Sequence, residues 1–248
     1  MTELIEVGSV EAIFRYPVKS MAGERLESVT LGWHGIEGDR RLAFQRVGER
    51  GGMPWLTAGR FPEMILYAPQ YENSERNGTP THVRTPRGEC LPIFGEQLAA
   101  EVGLRSGHQV QMTQLRNGIF DDATISVIAS ETIAEVSRLT GLHLEERRFR
   151  PNIVVRLPEP TAFQEDEWLG GTLFFGTRND APQIAVTMRD LRCSMVNINP
   201  DSASIQPEVM KAVFTANQNN AGVYASVVQV GALTVGQKVL LRRHSRRL

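Results

Sequence analysis

The sequence is short of cysteine, of net charge and of long apolar runs, and each shortage removes a class of protein. Two cysteines, Cys90 and Cys193, in 248 residues exclude a disulfide scaffold. They are also too few for a cysteine-held zinc site or a four-cysteine iron–sulfur cluster. Such sparing use points to a reducing cytoplasm. A net charge of −1 gives no general attraction to nucleic acid or to an anionic membrane. No run reaches the roughly eighteen unbroken apolar residues of a membrane-spanning helix. The start, Met1-Thr2-Glu3-Leu4-Ile5-Glu6, has neither the basic region nor the apolar run of a signal peptide. No Gly-x-Gly-x-x-Gly fingerprint follows a strand, so a dinucleotide-binding half is not evident. Internal repeats and low-complexity tracts are absent. What is left is an ordinary soluble, folded chain, long enough for one large domain or two small ones.

Short strands dominate what is there. Val10, Ala12 and Phe14 recur with a period of two, Arg25 to Leu31 alternates, and Leu42-Ala43-Phe44 continues the pattern. Gly-rich turns separate them at Met21–Glu24, Gly35–Gly38 and Gly48–Gly52, which reads as a barrel or sandwich. Glu72 to Thr81 reads as an exposed loop. A short helix is expected over Phe94–Val102, stopped at Gly103, and a strand over Gln109–Leu115. A boundary near Arg116-Asn117-Gly118 divides an N-terminal β domain, 1–115, from a second domain, 116–248. Ser130 is placed to cap a helix through Thr140, with Gly141 as its stop. Strands are expected at Asn152–Arg156, Thr172–Phe175 and Gln183–Met188. Pro207 opens a helix through Ala216, on which Val209, Val213 and Phe214 are expected to share a face. Val223–Val230 and Lys238–Leu241 close the chain as strands around turns at Gly231 and Gly236, and the basic end, 242–248, reads as a solvated tail.

Cys193 stands apart because of its neighbours. In Met188-Arg189-Asp190-Leu191-Arg192-Cys193-Ser194, two arginines lie within four residues of the sulfur. The apolar Ile184-Ala185-Val186 leads in and Asn197-Ile198-Asn199-Pro200 leads out, which reads as a strand emptying into a loop. Fixed positive charge beside a thiol favours the thiolate, the form that binds soft metals. The alternative is a small core residue, since free cysteine is among the most buried types.

Four further clusters combine cations with loop positions: Tyr16-Pro17-Val18-Lys19-Ser20, Gly38-Asp39-Arg40-Arg41, Asp121-Asp122-Ala123-Thr124-Ile125-Ser126, and Arg147-Arg148-Phe149-Arg150-Pro151-Asn152. Pro151 is expected to hold Arg150 extended, so that Arg148 and Arg150 point to one side. Arginine presents a planar fork that matches phosphate, and asparagine both donates to and accepts from a heterocycle edge. Each cluster alone also fits an ordinary surface, and Asp39 with Arg40 reads equally as an internal ion pair.

Together these motifs, in this order, resemble the MOSC family, named after the C-terminal domain of molybdenum cofactor sulfurase. The likeness runs from about Val10 to Val239 and is nearest in pattern to two-part members with an N-terminal barrel, such as the mitochondrial amidoxime-reducing component and its bacterial homologues. It implies a mainly β fold with a few helices: a β-barrel-like MOSC domain plus an N-terminal β-barrel-like subdomain. It implies a molybdenum cofactor (molybdopterin) between the two parts, with the Cys193 thiolate as metal ligand. Lys19, Ser20 and Arg40 would hold the cofactor from the first part, and Ser126, Arg148, Arg150 and Asn152 from the second. Arg192 would neighbour the metal. Asn199 stands where relatives carry an acid, which would alter substrate choice or proton supply.

The reaction so implied is the reduction of N-hydroxylated or N-oxide compounds. Electrons would come from an external electron-donor protein, and the enzyme would be a cytoplasmic monomer with no nucleic-acid or membrane partner. The polar, uncharged loop around Asn197 and Asn199 suits a neutral substrate. Two other readings stand beside it: a non-catalytic carrier of molybdopterin or sulfur on Cys193, and a plain anion-binding barrel. Cys90 has no motif around it and is expected to be structural.

Overall fold

A computed structural model describes residues 4–72 and 78–243. The middle of the loop expected at 72–81, the basic end from residue 244 and the first three residues lie outside the described residues. The N-terminal half contains β1 (Leu4–Arg15), β2 (Glu24–Leu26), β3 (Ser28–Gly32), β4 (Gly35–Ile36), β5 (Leu42–Arg46), β6 (Ala68–Gln70), β7 (His82–Arg84), β8 (Cys90–Pro92), helix α1 (Glu96–Ser106) and β9 (Val110–Gln114). The C-terminal half contains β10 (Ile125–Ala129), α2 (Ser130–Thr140), β11 (Ile153–Arg156), β12 (Thr172–Phe175), β13 (Gln183–Leu191), α3 (Glu208–Asn217), β14 (Asn220–Gln229), β15 (Gly231–Thr234) and β16 (Lys238–Arg242). The mainly β character expected from the sequence is the character of the fold. No described helix is long and apolar enough to cross a membrane.

Seven strands close into a barrel in the order β1, β11, β10, β14, β13, β12, β16 and back to β1. The twelve-residue β1 makes closure possible. Its early residues pair with β16, Ser9 to Ile13 pair with β11, and Ile13 to Arg15 pair with β2. Further pairing joins β3 to β15. Strands β1 and β3 thus pair across the boundary expected near residue 116. Burial drives this, because β1 has apolar residues on both faces. Val10 and Ile13 enter the barrel core with Val127, Leu173 and Val223. Ala12 and Phe14 pack outward against α2 and α3 through Ile133, Val136, Val209 and Val213. Burying each such large side chain stabilises the fold by about 1.5–3 kcal/mol. A separate core, built on Leu42, Phe44, Leu98 and Val102, holds β5, β9 and α1 together.

Several local expectations need correction. Helix α1 runs past Gly103 and ends at Gly107, whose φ of 72° is left-handed. Gly103 lies inside the helix, at a position that suits glycine because a Cβ there would stand 3.0 Å from the His108 carbonyl oxygen. Ser130 is the first residue of α2 rather than its cap, since β10 runs straight into the helix and leaves Ala129 at the cap position. Phe214 does not share the buried face of Val209 and Val213 and is 66% exposed. It lies five residues after Val209, about 140° around the helix. Gly231 opens β15 instead of turning the chain. Strand β10 was hidden because all five residues are buried, so no alternation marks it.

Candidate functional site

A cavity of about 390 Å³ opens between the barrel end and the second core. Lys19, Ser20, Arg40, Met53 and Thr57 line it from one side. Asp121, Ser126, Arg148, Phe149, Arg150, Asp190 to Val196 and Tyr224 line it from the other. Cys193 follows β13 and leads a single helical turn over Ser194–Asn197. It is exposed, which removes the core-residue reading. Cys90 is also exposed, on β8, and does not line the cavity.

The backbone is held in unusual conformations here. Ser20, Arg40 and Arg150 have φ of 67°, 49° and 50°, in the left-handed region that non-glycine residues avoid. Such residues cost of order 1–3 kcal/mol each and persist only where the surroundings enforce them. Arg150 is therefore not extended, although Pro151 follows it. Its Nη1 donates to the Met21 carbonyl at 2.7 Å, and its guanidinium lies 4.2 Å from the centre of the Tyr16 ring. Arg40 approaches the same ring at 4.9 Å, and its Nη2 donates to the Arg150 carbonyl at 3.1 Å. The internal pair of Arg40 with Asp39 exists as well, and Asp39 is fully buried. Arg40 thus belongs both to that pair and to the cavity wall.

Burial sets the charges of these groups. Arg150 is pushed down to about 10, chiefly by desolvation. Desolvation also lowers Lys19, against the pull of Asp121, to which its Nζ donates at 2.7 Å. For Arg40, desolvation is outweighed by Asp39, so its positive form is favoured. Burial holds the Asp190 carboxyl above the ordinary aspartate range, although Arg192, Ser126, Tyr224 and Arg40 oppose it.

Arg192 is pinned in place. Its Nε donates to the Ala221 carbonyl at 2.7 Å, its Nη1 donates to the Phe149 carbonyl at 2.8 Å, and its Nη2 lies 3.0 Å from Asp190 Oδ2. Gly222 makes room for it, since a Cβ there would meet Val127 O at 2.7 Å and Arg192 Nη2 at 3.3 Å. Arg189, the other arginine near the thiol, pairs with Asp166 at 2.8 Å and does not line the cavity. Arg148 is buried and not the surface cation its sequence context suggests. Its Nη1 donates to the Val196 carbonyl and its Nη2 to Gln206 Oε1.

Two of the candidate residues fall outside the cavity lining. Asn152 lies behind it, fully occupied: Nδ2 donates to Phe14 O and Asp39 Oδ2, and Oδ1 accepts from Ser126 N and Arg40 Nη1. It is a brace and has no group left to read a ligand edge. Asn199 caps a turn, its Oδ1 accepting from Asp201 N at 2.9 Å and Ser202 N at 3.2 Å. Its oxygen is engaged in that turn, away from the cavity lining.

Residues 96–240 match the MOSC domain, and residues 7–123 match the MOSC N-terminal beta barrel domain. The chain belongs to the MOSC family. MOSC domains are associated with molybdenum cofactor binding. The MOSC chain is similar in fold to the YuaD protein of Bacillus subtilis, with a TM-score of 0.53 and 14% identity over 99% of this chain and 100% of that one. YiiM from Geobacillus stearothermophilus matches 51% of this chain and 57% of its own, at 20% identity and a TM-score of 0.40. Among curated proteins no sequence matches the chain.

Among the residues of this MOSC site that the sequence reading left unassigned are Asp190, Tyr224, Met53, Thr57 and Gly59. Asp190 was in view beside Cys193, but its contact with Ser126, 64 positions away, arises only from pairing of β13, β14 and β10.

Proposed function

We propose that the cavity binds a molybdenum cofactor and that the protein reduces small, neutral N-hydroxylated or N-oxide compounds. The Cys193 thiolate would be the protein ligand to the metal. An external redox protein in the cytoplasm would supply the electrons. The observation that carries this reading is one cavity in which an exposed thiol meets five cations, Lys19, Arg40, Arg148, Arg150 and Arg192, drawn from both halves of the chain.

The donor set fits an anionic, phosphate-bearing group. Arg148 Nε and Arg150 Nη2 are buried without a hydrogen-bond acceptor, and an anion in the cavity would provide one. Among the described residues no group of three or more His, Cys, Asp or Glu side chains could hold a metal alone. A metal here would therefore arrive with ligands of its own, and one thiolate would suffice to fix it. When bound, such a cofactor would supply two-electron redox chemistry at the thiol end of the cavity. The chain's part is binding and orientation. Lys19, Arg148 and Arg150 neutralise the anion, and the pinned Arg192 keeps the Cys193 loop in register. Met53, Phe149, Leu191 and Met195 give the mouth an apolar wall that takes the body of a neutral substrate.

The test is molybdenum content of protein made in a host that synthesises the cofactor, with oxidation of reduced viologen by benzamidoxime or hydroxylaminopurine. Wild type should carry metal and turn over, while Cys193→Ser should lose metal and activity. Full metal and activity in Cys193→Ser would overturn the ligand assignment. The exposure of Cys193 also suits a carrier of cofactor or sulfur; molybdenum-replete wild type that reduces nothing would favour that reading.

A further inference from the structure

We propose that Asp190 is the general acid of this site, giving a proton to the oxygen that leaves the substrate as water. The inference rests on the reductase reading above and adds a residue to it.

Asp190 is the penultimate residue of β13, three before Cys193, and both line the cavity. Its side chain is 2% exposed. Oδ2 accepts from Ser126 Oγ at 2.9 Å and faces Arg192 Nη2 at 3.0 Å, and Tyr224, opposite Ser126 on the neighbouring strand, also favours the charged carboxylate. The charged and titratable groups acting on it are Arg192 from the segment after β13, Tyr224 from β14 and Arg40 from the link between β4 and β5. Burial outweighs the two guanidinium groups, so the carboxyl keeps its proton to higher pH than an ordinary aspartate.

The other acids near the cavity are unsuited to this task. Asp121 is 61% exposed and paired with Lys19, and Asp122, which also lines the cavity, is exposed to solvent. Asp39 is enclosed, accepting from Tyr16 N and Asn152 Nδ2 and paired with Arg40. Arg192 does not need Asp190 for anchorage, because two backbone carbonyls already hold it. A buried acid opening onto the same cavity as the thiol is placed for proton transfer.

An N-hydroxylated substrate, R–NH–OH, takes two electrons from the external redox protein and two protons. The N–O bond breaks, nitrogen leaves as R–NH2 and oxygen as water. Asp190 gives the oxygen its proton, and solvent gives the other proton to nitrogen. The Asp190 carboxylate is then stabilised by Arg192 and by the Ser126 and Tyr224 hydroxyls, and regains a proton from water in the cavity.

In molybdenum-loaded protein, Asp190→Asn should lower kcat by about 100-fold or more, the usual range for loss of a general acid. KM and molybdenum per protein should stay unchanged, and the fall of kcat at alkaline pH should disappear. Asp190→Glu should restore part of the rate. Independently of activity, the infrared difference between cofactor-free wild type and Asp190→Asn should contain a carboxylic-acid carbonyl band that persists above the ordinary aspartate range. If Asp190→Asn loses its metal, Tyr224→Phe provides the check. Removing the Tyr224 hydroxyl, which favours the charged form, should move the alkaline limb to higher pH. An unmoved limb, a missing band or a fully active Asp190→Asn overturns the role of Asp190 alone. A loaded wild type inactive on the whole panel overturns the reductase reading and this role with it.

Discussion

Asn152 Nδ2 donates to Asp39 Oδ2 across 3.1 Å, joining residues 113 positions apart. The same amide braces Phe14, Ser126 and Arg40, so one side chain ties β1, β10 and the turn before β5 together behind the cavity.

Asn152→Ala should therefore act on stability first. Truncation leaves the Ser126 amide and the Phe14 carbonyl buried without these partners, and the expected loss is about 2–3 kcal/mol. Denaturant unfolding measures it. A change below about 0.5 kcal/mol, the scale of ordinary surface substitutions, would show that Asn152 is no brace.

Arg148→Ala should also destabilise, by about 2–3 kcal/mol, because its guanidinium links the turn at Glu146–Arg148 to the Cys193 loop through Val196 and Gln206. The neighbouring Arg147 is half-buried and pairs with Glu145 and Asp201, so Arg147→Ala should stay within about 1 kcal/mol. Equal effects of the two substitutions on the unfolding midpoint would contradict the difference in burial.

Glu165 makes stability depend on pH. It is fully buried, with Oε2 accepting from Thr132 Oγ1 at 2.9 Å and Oε1 from Gly222 N at 3.1 Å. Burial pushes its carboxyl up from the ordinary 4.5 to about 7, against its hydrogen bonds. The folded state thus holds this proton more tightly than the unfolded chain. The stability it contributes is complete below about pH 4.5 and is lost as pH rises to about 7. The shift amounts to about 3 kcal/mol. Glu165→Gln, which mimics the protonated form, should flatten the stability profile across that window. A variant whose unfolding free energy declines with pH as steeply as that of wild type would refute the assignment.

Much of the local structure was legible. Short apolar runs marked β1 and β5, although a bulge between Val10 and Ala12 puts those two on opposite faces of β1, and Gly141, left-handed at 68°, stopped α2 where its sequence position predicts. The uniformly buried β10 escaped notice, as did the end of α1, because a glycine inside a helix looks like a terminator until its close neighbour is known. At the site, Lys19, Ser20, Arg40, Ser126, Arg148, Arg150, Arg192 and Cys193 do line one cavity. Their residue types and order carried that information, through motifs whose chemistry suits an anion. Asn152 and Asn199 lie outside that lining, because a polar side chain advertises hydrogen bonding and not its partner.

What the sequence by itself determined was the mainly β class, the family likeness and the set of cationic loop positions around a single thiol. Each is a property of short segments, set by alternation, turn chemistry and residue type. Only the tertiary structure decided that β1 closes the C-terminal barrel, that Arg189 turns away while Arg192 is pinned, and that Asp190 is buried beside Ser126 and Tyr224. Those outcomes depend on which strands pair and what each side chain finds opposite it. Burial and partnership belong to the packed chain, and no segment of it carries them alone.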